Sequence, residues 1–266
     1  IGNHLLDDAL AGADLVLWHS GLLGLLHLRP GKRINAPIIV MMTSPLPTLK
    51  EIVPVGLSAT FRNFRLHLVS ALLPRPCPSP ILGVQRYRGF LVMNHTTALR
   101  LERLGVRQEQ IQVVSPGVDS VFRYHPSQNR DQVRSAIGFS DKDLLILFPS
   151  SVEPYRGLPD LLRALALGLQ KEPRLRLLVL SRRRGDQFAK EEAQNRHLCE
   201  TLGIANNVWF ESGFLQPEQV ATLMRATDLV ALPFRAVASG TPLSVLEALS
   251  IGKPVITTTA DCLPEI

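Results

Sequence analysis

The sequence predicts an α/β protein built from two doubly wound parallel sheets in series, and three observations carry that expectation. Short, nearly continuous apolar runs recur along the chain, each reading as a strand buried on both faces. Between them lie segments with apolar residues at helical spacing, so strand and helix alternate as a parallel sheet requires. The chain has 266 residues, 45% of them hydrophobic, which suffices for two substantial cores.

Taken in order, Leu5, Leu6, Ala9 and Leu10 outline a short amphipathic helix that Gly12 can end. The first strand is expected at 15–18, with His19 at its C-terminal end. Ligands of open α/β sheets sit at that edge, so His19 is a candidate functional residue as well as a candidate capping or packing one. A helix over 22–28 and a turn at 29–32 lead to the second strand, 37–42. The segment 48–80 breaks the rhythm. It offers one helical turn at Leu49, Ile52 and Val53, then a basic amphipathic helix through Phe61, Phe64, Leu68 and Leu72, then a proline-rich loop at 73–80. That helix reads as a domain-surface helix or as one that touches a membrane or an acceptor.

The third strand, 89–93, a helix over 96–104 ended by Gly105, and a fourth strand at 111–114 complete the first sheet. A tight turn at 115–119 and a polar segment around 126–129 precede a short helix near 131–137. The domain boundary is placed at about 138, giving domains 1–138 and 139–266. Beyond it, strands at 144–148, 176–180, 208–211, 228–232 and 255–258 alternate with helices near 158–170, 186–202, 217–225 and 241–251. Two such domains are expected to face a cleft between the carboxyl edges of their sheets.

Composition narrows the partners. The formal charge is +6, with arginine clusters at Arg62 and Arg65, at Arg86 and Arg88, and at 182–184. This balance suits anionic small molecules or a membrane surface. It suits nucleic acid poorly, because aromatic and basic residues do not interleave. Cys77, Cys199 and Cys262 are far apart, odd in number and in no metal-ligand spacing, so a reduced compartment and no metal site are expected. The apolar run 15–28 is interrupted by His19, Ser20 and His27, which disqualifies it as a membrane span. The chain opens on Ile1 and closes just after a strand and turn. It reads as a piece cut at both ends, and that piece by itself is expected to be inactive.

The chemistry concentrates in 238–256. Thr241 is expected to cap a helix, Pro242 to occupy its first position and Gly252 to end it, with Leu243, Leu246, Leu249 and Ser250 at helical spacing. Free amides from Thr241 to Ser244, beside a Gly240 that lets a ligand approach the main chain, make an anion site for a phosphate or diphosphate. Glu247, one turn further in, can accept two hydrogen bonds from a vicinal diol such as a ribose. A diphosphate and a ribose together describe a nucleotide.

Several motifs then occur in one order: Ser115-Pro-Gly-Val-Asp119 with Phe122 and Pro126, Pro154-Tyr-Arg-Gly157 before Arg163-Ala164, Asn207-Val-Trp-Phe210 with Gly213, Ala226-Thr-Asp-Leu-Val230, Gly240-Thr-Pro-Leu-Ser-Val-Leu-Glu-Ala248, and Gly252-Lys-Pro-Val255. As a set they resemble the group 1 glycosyltransferases (glycosyltransferase family 4) with the two-domain GT-B fold, well over 89–266 and loosely before. The resemblance implies a retaining, metal-independent transfer of a sugar from a nucleotide-sugar donor, bound by the second domain, to a glycan, lipid or small-molecule acceptor held by the first. No cofactor is implied. On that resemblance Glu247 holds the ribose, and Gly240, Thr241, Leu243 and Ser244 form the phosphate turn, with Pro242 lacking an N–H. Arg156 replaces the phosphate-binding lysine and can grip two oxygens, while Gly213 and Phe214 lie near the base.

The sequence departs from the pattern in three places. Ser239 stands where the first glutamate of the family's pair is expected, Ser151 where an arginine is expected, and 181–185 replaces a glycine-rich turn. Arg182 or Arg183 is expected to supply the cation that Ser151 lacks, unless the cluster is simply solvated. On the acceptor side, His19 matches the histidine of the first strand's end, and Thr43-Ser44 replaces the usual pair after the second. Catalytic candidates are therefore Ser239, Glu247 and His19. The alternatives are a degenerate GT-B protein that binds nucleotide or glycan without turnover, and a GT-B epimerase or phosphorylase. Donor supply and basic charge place the protein in the cytoplasm, with peripheral contact at the inner membrane face as a further expectation.

Overall fold

The computed structural model describes residues 12–21, 36–43, 87–125, 129–182, 185–238 and 240–266. The expected helices at 5–10 and 22–28 and the whole of 48–80 lie outside the described residues. By internal packing the chain divides into two units. Unit 1 comprises 1–116, 237–241 and 260–266, and unit 2 comprises 117–236 and 242–259.

In unit 1 the described strands are β1 (Val16–His19), β2 (Ile38–Met42), β3 (Gly89–Val92) and β4 (Ile111–Val113), parallel and in that spatial order. Their inward residues Val16, Ile38, Val40, Met42, Phe90 and Val92 are buried. Helix α1 (His95–Arg103) covers them with Ala98 and Leu101. Asn94 starts α1, its side chain accepting from the Thr97 amide at 2.7 Å, and Gly105 ends it at φ 89°. The returning segment is tied to α1 twice. Arg100 meets Asp261 at 2.5 Å with both side chains buried, and the Glu265 carboxylate accepts from the first amides of α1, at His95 and Thr96.

Unit 2 has strands β5 (Leu144–Pro149), β6 (Leu175–Leu180), β7 (Val208–Glu211), β8 (Leu229–Leu232) and β9 (Val255–Thr257), all parallel, in the spatial order β7-β6-β5-β8-β9. The connecting helices are α2 (Arg130–Ala136), which precedes β5, then α3 (Leu158–Leu169), α4 (Gly185–Thr201), α5 (Pro217–Ala226) and α6 (Leu243–Ser250). Central strands carry the core: Leu145, Leu147, Phe148, Leu177, Leu178 and Val179 are at most 1% exposed, as strands covered on both faces require.

The division differs from the boundary expected near 138. The turn after Gly117 and helix α2 pack on α5, and Arg134 of α2 is fully buried in unit 2. Its guanidinium donates to the carbonyls of Ala226 and Asp143 and meets the Asp228 carboxylate at 2.8 Å, which Arg130 also reaches at 2.6 Å. A buried guanidinium needs those partners, so α2 cannot separate from the second sheet. Burial works to raise the Asp228 pKa, but the Leu145 amide, Arg134 and Arg130 together hold it below its ordinary 3.8.

The last helix also begins later than expected. Pro242 is extended at ψ 108°, so α6 starts at Leu243 and Thr241 does not cap it. The Thr241 hydroxyl instead donates to the Met93 carbonyl at 3.3 Å and accepts from Asn94 at 3.4 Å. The buried stripe of α6 is Val245 and Ala248, continued by Ile251, while Leu243 and Leu249 are exposed. The leucine spacing marks the outer side.

The buried pair gives a testable expectation. A depressed carboxyl stabilises the fold fully above its unfolded pKa and loses that contribution as pH falls through the folded one. Asp228→Asn is therefore expected to lower stability at neutral pH by about 3 kcal/mol, because the fully buried Arg134 loses its half-buried carboxylate partner, and to weaken the acid dependence below pH 3.8. Urea midpoints across pH measure both.

Candidate functional site

In unit 2 the chain runs outward from β5 to β7 and then returns to β8 on the other side of β5, so the strand order reverses between β5 and β8. Such a switch point leaves a crevice at the carboxyl edge where ligands bind. The two loops leaving it are joined. The amides of Arg235 and Ala236 donate to the Tyr155 carbonyl at 2.9 and 3.2 Å, and Arg235 grips Asp160 through two bonds of 2.6 Å. The Arg235 hydrogen bond holds the Asp160 carboxyl below its ordinary value. Gly157 has φ 85°, and a Cβ there would stand 1.8 Å from the Pro233 carbonyl oxygen, so only glycine permits this closeness.

That junction positions Arg156, on the 3₁₀ turn Pro154–Arg156. Its guanidinium carbon lies 5.1 Å from the Tyr155 ring centre and 5.4 Å from that of Phe234, within cation–π range. The Arg156 Nε and one Glu153 carboxylate oxygen are buried without a hydrogen-bond partner among the described residues. Burial, first among several influences, raises the Tyr155 phenol. Ser151 is half-buried on the same loop, just past β5.

Helix α6 begins after the β8 loop. Its first internal bond runs from the Val245 amide to the Pro242 carbonyl at 3.1 Å, which leaves the amides of Leu243 and Ser244 without a partner among the described residues at its positive end. Glu247 lies three residues beyond Ser244 and four beyond Leu243, on the same side of the helix. It is half-buried, no described residue gives it a hydrogen bond or an ion pair, and burial raises its pKa. A carboxylate kept partly dry with no internal partner is equipped to accept hydrogen bonds from outside.

Two more candidates meet over the ends of β6 and β7, where the guanidinium carbon of Arg182 sits 4.3 Å from the centre of the Phe214 ring. Arg182 is thus engaged by an aromatic face. At Gly213 a Cβ would lie 3.1 Å from the Glu211 carboxylate, and the Ser181 and Ser212 hydroxyls nearby are buried without partners among the described residues. Arg183 and Ser239 lie outside the described residues.

The remaining candidates belong to unit 1. His19 Nε2 is 2.6 Å from the Thr43 hydroxyl, joining the ends of β1 and β2. Gly240 has a different role from the one expected. Its amide donates to the Thr43 carbonyl at 2.6 Å, and its own carbonyl accepts from Asn94 and Cys262, both at 3.0 Å. A Cβ on Gly240 would meet the Thr43 carbonyl oxygen at 3.0 Å and the Met93 sulfur at 3.2 Å. The glycine is needed for packing against the chain's own backbone, and this peptide is already fully bonded. Sequence reasoning missed Asn94, Phe234, and the pair Asp160 and Arg235; the Pro233-Phe-Arg235 step directly after a buried strand was the available signal.

The family model described as Glycosyl transferases group 1 matches residues 129–266. The chain belongs to this family. A D-inositol 3-phosphate glycosyltransferase of Rhodococcus opacus is 34% identical over 154 residues, covering 57% of this chain and 33% of the relative. Its counterpart from Rhodococcus erythropolis is 34% identical over 170 residues, covering 62% and 37%. This chain thus spans about a third of the length of these relatives. Among solved structures, Anabaena HepE in complex with UDP superposes with a TM-score of 0.75 at 19% identity, over 98% of this chain and 64% of that one. The fold is GT-B, with two Rossmann-like parallel-sheet units. Among the described residues no helix is long and apolar enough to cross a membrane.

The Glu247 environment predicts a pH signature. With its folded pKa raised above the ordinary 4.5, the folded state binds more protons, so this group's contribution falls as pH rises from about 4.5 through the folded pKa. Glu247→Gln is expected to melt at a higher temperature than the wild type at pH 7, with the gap closing at pH 4. Paired melting curves test it.

Proposed function

We propose that the protein transfers a sugar from a nucleotide-sugar donor to an acceptor, with retention of anomeric configuration. In this reading unit 2 holds the donor at the β5–β8 switch point. Glu247 accepts the ribose hydroxyls, the amides of Leu243 and Ser244 receive the diphosphate, and Arg156 neutralises it. Ser151, short and uncharged, leaves Arg156 as the principal cation of that loop. Arg182 and Phe214 with Gly213 flank the base, and the acceptor side draws on His19. Ser239 flanks the donor sugar, as the family pattern implies, and Arg183 is a further cation candidate beside Arg182, whereas Gly240 and Thr241 act through their contacts with Thr43, Met93 and Asn94 and not as phosphate donors.

The observation that carries this reading is the pairing, at one switch point, of a guanidinium with a buried unpaired N–H and a half-buried carboxylate without an internal partner. A site with both an anion clamp and a diol acceptor suits a nucleoside diphosphate better than a plain phosphate or a neutral glycan. Support also comes from the HepE structures, whose bound molecules include UDP and UDP-glucose, and from the inositol-phosphate glycosyltransferases among the relatives. Developing charge on the leaving diphosphate is stabilised by groups fixed beforehand, a helix end and a guanidinium, which do the work of a metal ion. Retention rests on the family resemblance alone. The acceptor is a glycan, lipid or small molecule, and the setting is cytoplasmic, with a peripheral membrane contact.

Titration calorimetry with UDP tests the assignment. Arg156→Ala and Glu247→Ala are each expected to weaken binding about tenfold or more, since a hydrogen bond to a charged group contributes about 1.5–3 kcal/mol. Unchanged affinity in both variants would refute the site. Transfer by the complete protein is expected to persist in excess EDTA, with product configuration read from anomeric NMR couplings. UDP binding without turnover of any nucleotide sugar would select the non-catalytic binding protein instead.

A further inference from the structure

A groove of about 280 Å³ lies between α3 and α4, on the flank of unit 2. Its walls are Val152, Pro154, Pro159 and Leu198, and its floor is polar, formed by Glu191 and Asn195. Both floor residues are at most 5% exposed. The Asn195 amide donates to the Glu191 carbonyl at 2.8 Å, while its own Oδ1 is buried with no hydrogen-bond partner among the described residues. An unsatisfied buried acceptor carries a desolvation penalty that a ligand donor would relieve. The Glu191 carboxylate accepts from Gln187 at 2.9 Å, which fixes the other half of the floor.

The floor therefore requires a ligand that donates hydrogen bonds. The rim decides which donor. Arg163 and His197 stand there, each beside a carboxylate, Asp160 at 3.6 Å and Glu200 at 3.3 Å, so the rim offers donors and acceptors together and suits an uncharged ligand. A hydroxyl can donate to the floor and accept from the rim. The volume sits at the small end of small-molecule sites, the scale of one sugar ring rather than a nucleotide.

The groove also backs onto the turn that carries Arg156. Val152 and Pro154 belong to that loop and Pro159 to the first turn of α3 just after Gly157, so the groove wall and the donor loop are one stretch of backbone. We propose that the α3–α4 groove is a second binding site, taking a neutral polyol of monosaccharide size, and that its occupancy is coupled to nucleotide binding through the Val152–Pro159 loop. The coupling rests on the donor reading above; the groove itself does not. The influence of the Glu191 charge on the Tyr155 phenol agrees with the short path between them.

Amide NMR titration of the 266-residue chain, with glucose in one arm and a linear glucose oligosaccharide in the other, tests this. Saturable shifts are expected at Glu191, Asn195 and Leu198. A stronger response to the oligosaccharide assigns the site to a glycan end, and an equal or stronger response to glucose assigns it to the free sugar. Asn195→Leu removes the acceptor. Gln194→Trp, at an exposed rim position, plugs the groove without touching the core, so it serves even if the first variant folds poorly. Both are expected to abolish the shifts. The UDP dissociation constant should change at least twofold with sugar saturating, and the sugar's constant by the same factor with UDP saturating. No saturable shift in either arm, or shifts that survive both variants, overturns the site. Sugar binding that leaves UDP affinity unchanged overturns the coupling, and sugar binding with no UDP binding at all overturns the donor reading while the groove stands.

Discussion

The closeness of Gly157 to the Pro233 carbonyl is the constraint on which the site in unit 2 depends. A side chain at 157 would collide with backbone, and the positive φ there suits glycine alone. Because the two chains approach so nearly, the Tyr155 carbonyl can take two amides from the opposite loop and Asp160 can meet Arg235. The switch point of a doubly wound sheet is ordinarily an opening flanked by independent loops. Here the loops after β5 and β8 are one hydrogen-bonded body, and Arg156 is fixed on it.

Much of the fold was legible because buried parallel strands leave a simple record. Runs such as Leu144-Leu-Ile-Leu-Phe148 and Leu177-Leu-Val-Leu180 have no other comfortable reading, and their observed limits agree with expectation to within a residue or so. The boundary at 138 was misjudged for a physical reason. A helix as polar as Arg130–Ala136 looks like a linker, and the buried ion pair that binds it to the second sheet depends on Asp228, almost a hundred positions later. Long-range electrostatic partners leave no periodicity to read.

The candidate site was legible in where its groups lie along the fold and less so in their contacts. Glu247 and Arg156 could be singled out because residue type and distance from a helix start constrain what they can do. The roles of Gly240 and Thr241 could not, because a glycine needed for ligand approach and one needed for chain packing look alike in a sequence. Only the contacts with Thr43, Met93 and Asn94 separate the two. Similarly, nothing local announced that Arg182 would rest on Phe214, since the two come from loops after different strands.

Arginine in place of lysine at 156 alters the direction from which an anion can be held. Aromatic rings engage a guanidinium through its face, whereas hydrogen bonds leave from its edge, so the Tyr155 and Phe234 rings orient the group while most of its edge stays available. A lysine ammonium projects three donors over a cone and accepts an oxygen at many angles. The planar fork admits only those lying near its own plane, which turns a charge contact into an angular filter on how an anion can approach.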